Sequence, residues 1–181
     1  MMKTVLVLLA QGFEEIEAIT PIDLLRRAGA KVTVATLKED RATGAHGITV
    51  LSDTTLEKLG DRLFDCVVLP GGGEGSENLA ASAAVLTKVV QIAQEGVVAA
   101  ICAAPAVVLG KTGLLDGRKV TGYPGTAELV EGLVFEDDGV IVDGNLITAK
   151  GPAFAMDFAL AIIKKLFGGE KEEQIRLGIL R

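Results

Sequence analysis

Four short apolar runs constrain this chain more than any other feature. They are KTVLVLLA (residues 3–10), KVTVATL (31–37), DCVVLP (65–70) and VVAAI (97–101), and aliphatic residues follow one another in each with little polar alternation. A strand with one wet face alternates apolar and polar residues, whereas a strand covered on both faces does not. The segments between and after them, EEIEAITPIDLLRRAG, SENLAASAAVLTKVVQIAQEG and FAMDFALAIIKKLFGG, carry apolar residues at spacings of three and four, as helices with one buried stripe do. Buried strands alternating with amphipathic helices give parallel βαβ units. The expected fold is a three-layer α/β sandwich: a mostly parallel sheet with helices on both faces. Two stretches break the rhythm. Residues 42–52 (ATGAHGITVLS) read as a small hairpin or edge excursion, and residues 135–149 (FEDDGVIVDGNLITA) place Asp-Gly and Asp-Gly-Asn turn signals within an antiparallel hairpin. Pro21 follows Thr20 inside a helical pattern, which predicts either a kink or a fresh start with Thr20 as cap.

The 181 residues suit one ordinary domain, residues 1–181, with a single core. Hydrophobic residues make up 49% and aromatic ones only 4%, so that core must be aliphatic. No apolar run nears the roughly 18 continuous residues of a membrane helix, which predicts a soluble protein with no membrane partner. The N-terminal run from Val5 to Ala10 is short for a secretory leader and meets Gln11, Glu14, Glu15 and Glu17 instead of a cleavage site, so it reads as a first strand. Two cysteines make no disulfide framework and point to a reducing, cytoplasmic setting. A net charge of −6, with no basic cluster denser than Arg26-Arg27 or Lys164-Lys165, argues against specific nucleic-acid binding. Those pairs stand shortly before Gly29 and Gly168 and suit the last turns of helices, where cations favour the dipole.

In open parallel sheets, ligands gather beyond the carboxyl ends of the strands. QGFEEIE follows the first strand, GGGEGSEN the third and CAAPAV the fourth, so these three segments are expected to face one cleft. Cys102 stands at a strand-to-helix elbow, ahead of a helix expected over residues 104–110 with Pro105 in its first turn. Such an elbow holds a thiol exposed beside a helix N-terminus, which lowers its pKa from about 8.5 towards the reactive range. A buried, inert cysteine is the competing reading of the position. Cys66 lies within its strand and reads as core, and a Cys66–Cys102 disulfide is disfavoured by the reducing setting without being excluded. The glycines of LPGGGEGSEN, ahead of a helix capped near Ser76, lack the Lys-Ser/Thr of a phosphate loop; they suit an oxyanion hole of backbone N–H groups, or a plain tight turn. Glu14, Glu15 and Glu17 open a helix, where acids favour the dipole, and a carboxyl among them that reached Cys102 could act as general acid and base. The single histidine, His46, falls in the first hairpin, which disfavours both a Cys-His-Asp triad and a structural zinc site.

Taken in order, LAQGFEEIEAITPIDLLRRAGAKVTVA, DCVVLPGGGEGSENL, AAICAAPAVVL, KVTGYP and KGPAFAMDFALAII resemble the ThiJ/PfpI superfamily over nearly the whole chain. They fit best its DJ-one/YajL-like branch, that of the Parkinsonism-associated deglycase. The resemblance implies a flavodoxin-like fold, a single class I glutamine amidotransferase-like domain, a homodimer and a reactive elbow cysteine at Cys102. It places on Glu17 the carboxyl that hydrogen-bonds this sulfur or its sulfinate, and on Gly72, Gly73 and Ala103 the backbone donors of an oxyanion hole. Some relatives carry a histidine before the proline of the KVT segment; here Tyr123 precedes Pro124, which leaves proton transfer to Glu17. The protease-like branch has a histidine directly after its cysteine, and Ala103 at that position disfavours proteolysis. The implied activities are glyoxalase III-like conversion of methylglyoxal to lactate and deglycation of early adducts on proteins and nucleotides. Small carbonyl compounds or glycated side chains would be the substrates, and neither metal nor organic cofactor is required. The alternative is an oxidative-stress sensor or redox-regulated chaperone, with Cys102 oxidised to sulfinate and held by Glu17.

Overall fold

Each of the four apolar runs forms a strand in the computed structural model, which describes residues 2–181. The chain runs β1 (Thr4–Leu9), α1 (Glu15–Arg27), β2 (Lys31–Thr36), β3 (Arg41–Thr43), β4 (Thr49–Leu51), β5 (Thr54–Thr55), α2 (Leu56–Leu59) and β6 (Cys66–Leu69). It continues through α3 (Gly73–Ala80), α4 (Ala83–Ala93), β7 (Val97–Ile101), α5 (Ala104–Val107), β8 (Val140–Asp143), β9 (Leu146–Ala149), α6 (Ala155–Phe167) and α7 (Gly169–Gly178). Seven strands make one sheet in the order β5-β2-β1-β6-β7-β9-β8, with only β8 antiparallel to its neighbour, while β3 and β4 pair separately as an antiparallel hairpin.

β1 shows why the runs do not alternate. Val5, Val7 and Leu9 enter a core shared with Ile22 and Leu25 of α1 and Phe158 and Ile162 of α6. Leu6 and Leu8 enter the opposite core, with Leu79 of α3 and Val85, Val89 and Ile92 of α4. Each fully buried Val or Leu contributes about 1.5–3 kcal/mol relative to an exposed one, so both faces of the strand require aliphatic residues. From β1 the chain crosses to β2 on one side and later to β6 on the other, and this reversal opens a crevice at the carboxyl ends of β1 and β6.

Several local expectations are corrected. The helix expected over residues 76–96 is two helices, α3 and α4, because Ser82 stops the first and caps the second, its Oγ accepting the Val85 N–H at 3.4 Å. Ser76 is no cap; it lies inside α3 with its side chain buried, and α3 starts from Gly72 instead. α1 runs unbroken through Pro21, so Thr20 does not start a new helix. The helix expected over residues 104–110 ends at Val107 and passes into a 3-10 turn over Leu109–Lys111. The second hairpin is larger in role than expected: β9 joins the main sheet parallel to β7, and β8 forms its edge. The short β5 and α2 and the charge-rich α7 had no clear periodic signal. No helix among the described residues is long and apolar enough to cross a membrane.

Candidate active site

The backbone leaves β7 at Ile101 and turns sharply at Cys102, where φ is +65°. A non-glycine residue in this region costs about 1–3 kcal/mol and persists only where its surroundings enforce it. Here the Cys102 N–H donates to the Ala149 carbonyl at 2.9 Å, and its carbonyl accepts the Tyr123 N–H at 2.7 Å. These two bonds fix the elbow from β9 and from the segment that carries Tyr123. Tyr123 itself is half exposed, beside Gly151.

Pairing of β6 with β7 sets Leu69 opposite Ala100, so two residues further on Gly71 comes opposite Cys102. A Cβ at Gly71 would stand 2.5 Å from both the Cys102 Cβ and the Glu17 Oε2, so only glycine allows this approach. Its N–H donates to Glu17 Oε2 at 2.8 Å, and its carbonyl accepts the Glu14 N–H at 3.0 Å. The start of α1 is thereby docked on the β6 loop, with Glu17 carried into the interior at 0% exposure. Gly72 follows at φ +87°, with no room for a Cβ against the Gly12 carbonyl. The N–H groups of Gly72 and Ala103 both face the Cys102 sulfur. The structure therefore brings Glu17, Gly72 and Ala103 together at Cys102. Gly73 sits one step beyond, as the first residue of α3, with open space where its Cβ would be. Gly71 was missed by sequence reasoning; strand register was the signal that could have found it.

The thiol differs most from expectation. Cys102 is buried, not exposed, at 8%. Its pKa is raised, first by burial and then by the Glu17 charge; the Gly72 and Ala103 N–H groups oppose this without reversing it. α5 has only four residues, too short for a strong dipole at the elbow. Glu17 is pushed up to about 7, again first by burial, with the Gly71 N–H pulling the other way. The two groups are close enough to shift each other, and Oε1 of Glu17 has no hydrogen-bond partner. This buried pair titrates as a unit, in which a proton on Glu17 both removes the repulsion on the sulfur and supplies a donor.

The model of the DJ-1/PfpI family matches residues 3–165. The chain belongs to the DJ-1/PfpI family. Among its relatives, Protein dj-1beta of Drosophila melanogaster is 44% identical over 184 residues, 99% of this chain and 98% of that protein. Glutathione-independent glyoxalase DJR-1.2 of Caenorhabditis elegans is 34% identical over 96% of this chain and 94% of its own length. Protein DJ-1 homolog A of Arabidopsis thaliana is 40% identical, and this chain spans 45% of its length. The structure of oxidized Toxoplasma gondii DJ-1 superposes with a TM-score of 0.94 at 37% identity, covering 98% of both chains.

The remaining candidates fall outside the elbow of this DJ-1/PfpI chain. His46 lies in the β3–β4 turn, where its N–H and Nδ1 bond to Glu15 at 2.8 and 2.9 Å. This ties the hairpin to α1. Burial pushes the Glu15 pKa up, but the hydrogen bonds from His46 and Ile48 outweigh it and the carboxyl ends below its usual value. His46 is raised, mainly by its bond to Glu15. Glu14, Glu15 and His46 bring three ligand atoms within 4.8 Å of one another, and among the described residues they are the group that could hold a metal ion. Cys66 is wholly buried in β6, as expected of a core residue, and burial raises its thiol. It pairs with Val97, five residues before Cys102, or about 16 Å along a strand, which is too far for a disulfide.

Proposed function

We propose that this chain is a cofactor-independent cysteine enzyme, working as one domain over residues 1–181. It converts α-oxoaldehydes to hydroxy acids in a glyoxalase III-like reaction and removes early glycation adducts from proteins and nucleotides. The observation that carries the proposal is the buried Glu17 beside Cys102 on a strained elbow, with an unpartnered oxygen and a pKa near 7. A relative named as a glutathione-independent glyoxalase supports the reaction class. With methylglyoxal, Glu17 takes the thiol proton as the sulfur bonds to the aldehyde carbon, and the N–H groups of Gly72 and Ala103 steady the resulting oxyanion. The aldehyde carbon must then be oxidised and the ketone carbon reduced. Glu17 first returns the thiol proton to the oxyanion, giving a hemithioacetal. As a carboxylate it then carries the aldehyde-carbon proton to the ketone carbon through an enediol, while the hydroxyl proton passes to the former ketone oxygen, which leaves a thioester of lactate. Water cleaves the thioester, releasing lactate and the thiol, so no external oxidant or reductant enters. The test is lactate formation from methylglyoxal by purified protein; its absence overturns the reading.

The same site supports a second reading, a redox sensor or redox-regulated chaperone. Two peroxide molecules would convert the Cys102 thiolate to a sulfinate, releasing two waters, and Glu17, Gly72 and Ala103 would hold its oxygens. Intact-mass measurement after mild peroxide treatment should add two oxygens to the parent protein and none to Cys102→Ala. Equal uptake by both would exclude a sensing role for this thiol.

We also propose a homodimer. Ile16 and Ile19 of α1 are 54% and 42% exposed, and Ile48 and Leu51 of the adjoining hairpin are 57% and 70% exposed. The Glu15 bond to the Ile48 N–H ties the hairpin to α1, so these exposed apolar residues lie on adjoining elements. Light scattering should give twice the chain mass for the parent protein and the chain mass for Ile16→Glu combined with Leu51→Glu. A parent protein at chain mass would refute the dimer.

A further inference from the structure

The outer rim of β8 carries a set of main-chain groups that the fold leaves open. The Lys150 N–H donates to the Gly139 carbonyl, and the β8–β9 register continues from that pair. In an antiparallel ladder bonded and non-bonded pairs alternate, so Ile141 and Asp143 turn their main-chain groups to β9 and Val140 and Val142 turn theirs outward. No hydrogen bond among the described residues takes up the outward groups. Val142 is 52% exposed, and β8 ends the sheet. An open edge of this kind is a template for another strand.

Beside that edge lies a groove of about 600 Å³, between β8 and helices α6 and α7. Val140 and Val142 of β8 and Leu160 of α6 give it an apolar lining, to which Lys164 and Lys165 of α6 add their charges. The carboxylates of the groove are already engaged: Asp157 pairs with Arg181 at 2.7 Å and Glu172 with Arg176 at 2.6 Å. Neither lysine has an ion pair among the described residues, which leaves a local positive charge on a chain whose net charge is −6.

We propose that β8 is a docking site for an extended, acidic segment of another protein, which adds to the sheet as a further strand. The N–H and C=O groups of Val140 and Val142 bond its main chain. Its side chains on the α6 side recur at about 6.6–6.8 Å, so apolar residues alternate with Asp or Glu over Val142, Leu160 and the two lysines. A second copy of this chain fits less well, because two-fold pairing of β8 edges would bring the lysine pairs of both copies together. This site is independent of Cys102 and of the proposed reaction.

The test uses the full chain and a fluorescein-labelled peptide, Gly-Val-Thr-Glu-Thr-Val-Thr-Glu-Gly, which sets Val and Glu alternately on one face, with lysine replacing every glutamate in the control. Fluorescence anisotropy should show saturable binding of the acidic peptide, weaker at high ionic strength, and none of the basic one. Val142→Pro removes an N–H that points away from β9, so the existing ladder survives while the docking bond is lost. This variant and the pair Lys164→Glu with Lys165→Glu should each weaken binding about tenfold or more, and the charge variant carries the test alone if the proline variant melts early. Hydrogen exchange at the Val142 amide should be fast in the free protein and slowed by the acidic peptide. Equal binding of the two peptides, no binding, or unchanged affinity in the charge variant overturns the proposal. Slow Val142 exchange without peptide does so too, since a second copy would then occupy the edge.

Discussion

Cys102→Ser lowers kcat/KM for lactate formation from methylglyoxal by at least about a thousandfold. Serine fits the elbow, since it keeps the backbone bonds to Ala149 and Tyr123 and adds no volume at Gly71. Its hydroxyl, however, holds its proton far more tightly than a thiol, and Glu17 with a pKa near 7 cannot remove it to any useful extent. Cys66→Ser is the matched control. It places a hydroxyl in a wholly buried strand, which lowers stability by about 1–3 kcal/mol and leaves the rate per folded molecule unchanged. Stopped assays of lactate together with thermal melts check both variants. A Cys102→Ser enzyme with the parent rate would remove the sulfur from the mechanism.

Glu17→Gln produces opposite changes in activity and in stability. The rate falls by about a hundredfold or more, because the amide can neither accept the thiol proton nor carry it between carbons. The parent's activity rises with pH through about 7 as the pair loses its first proton, and the variant loses this limb. Stability moves the other way. The folded pKa of Glu17 lies near 7, above the usual 4.5, so folding favours the protonated carboxyl. Its contribution is complete below about pH 4.5 and is lost as pH rises through 7, a difference of about 3 kcal/mol. Glutamine keeps an oxygen for the Gly71 N–H and carries no charge. Glu17→Gln should therefore match the parent near pH 4 and exceed it in denaturant midpoint at about pH 8. A variant no more stable than the parent at the higher pH would mean that burial does not oppose the charge.

The layers of the fold were legible in the sequence because local composition dictates them. β1, β2, β6 and β7 each lie within the expected runs, since a strand buried on both faces has no polar position to spare. Elements held by few apolar residues were not legible: β5 has two residues, and α7 owes its place to packing on α6. The break at Ser82 was written in the sequence as a cap, but the apolar period continues across it and masks the signal.

The site was legible to a similar depth. Cys102 at the end of β7, Glu17 on α1 and the glycines after β6 follow from segment order and resemblance, whereas the burial that sets their pKa values does not. Gly71 could be found only by setting β6 against β7, because its requirement is the distance to Cys102 and Glu17.

The sequence by itself determined the α/β layering, the aliphatic core and the identity of the elbow cysteine, since each depends on residue type and spacing within one short segment. Only the tertiary structure decided that Cys102 is sheltered with a raised pKa, that Glu17 holds a proton near neutral pH, and that β8 leaves an open edge. Burial, the field of a neighbouring carboxylate and the direction of main-chain groups arise between segments distant in the chain. They are set by register and packing, which no local pattern encodes.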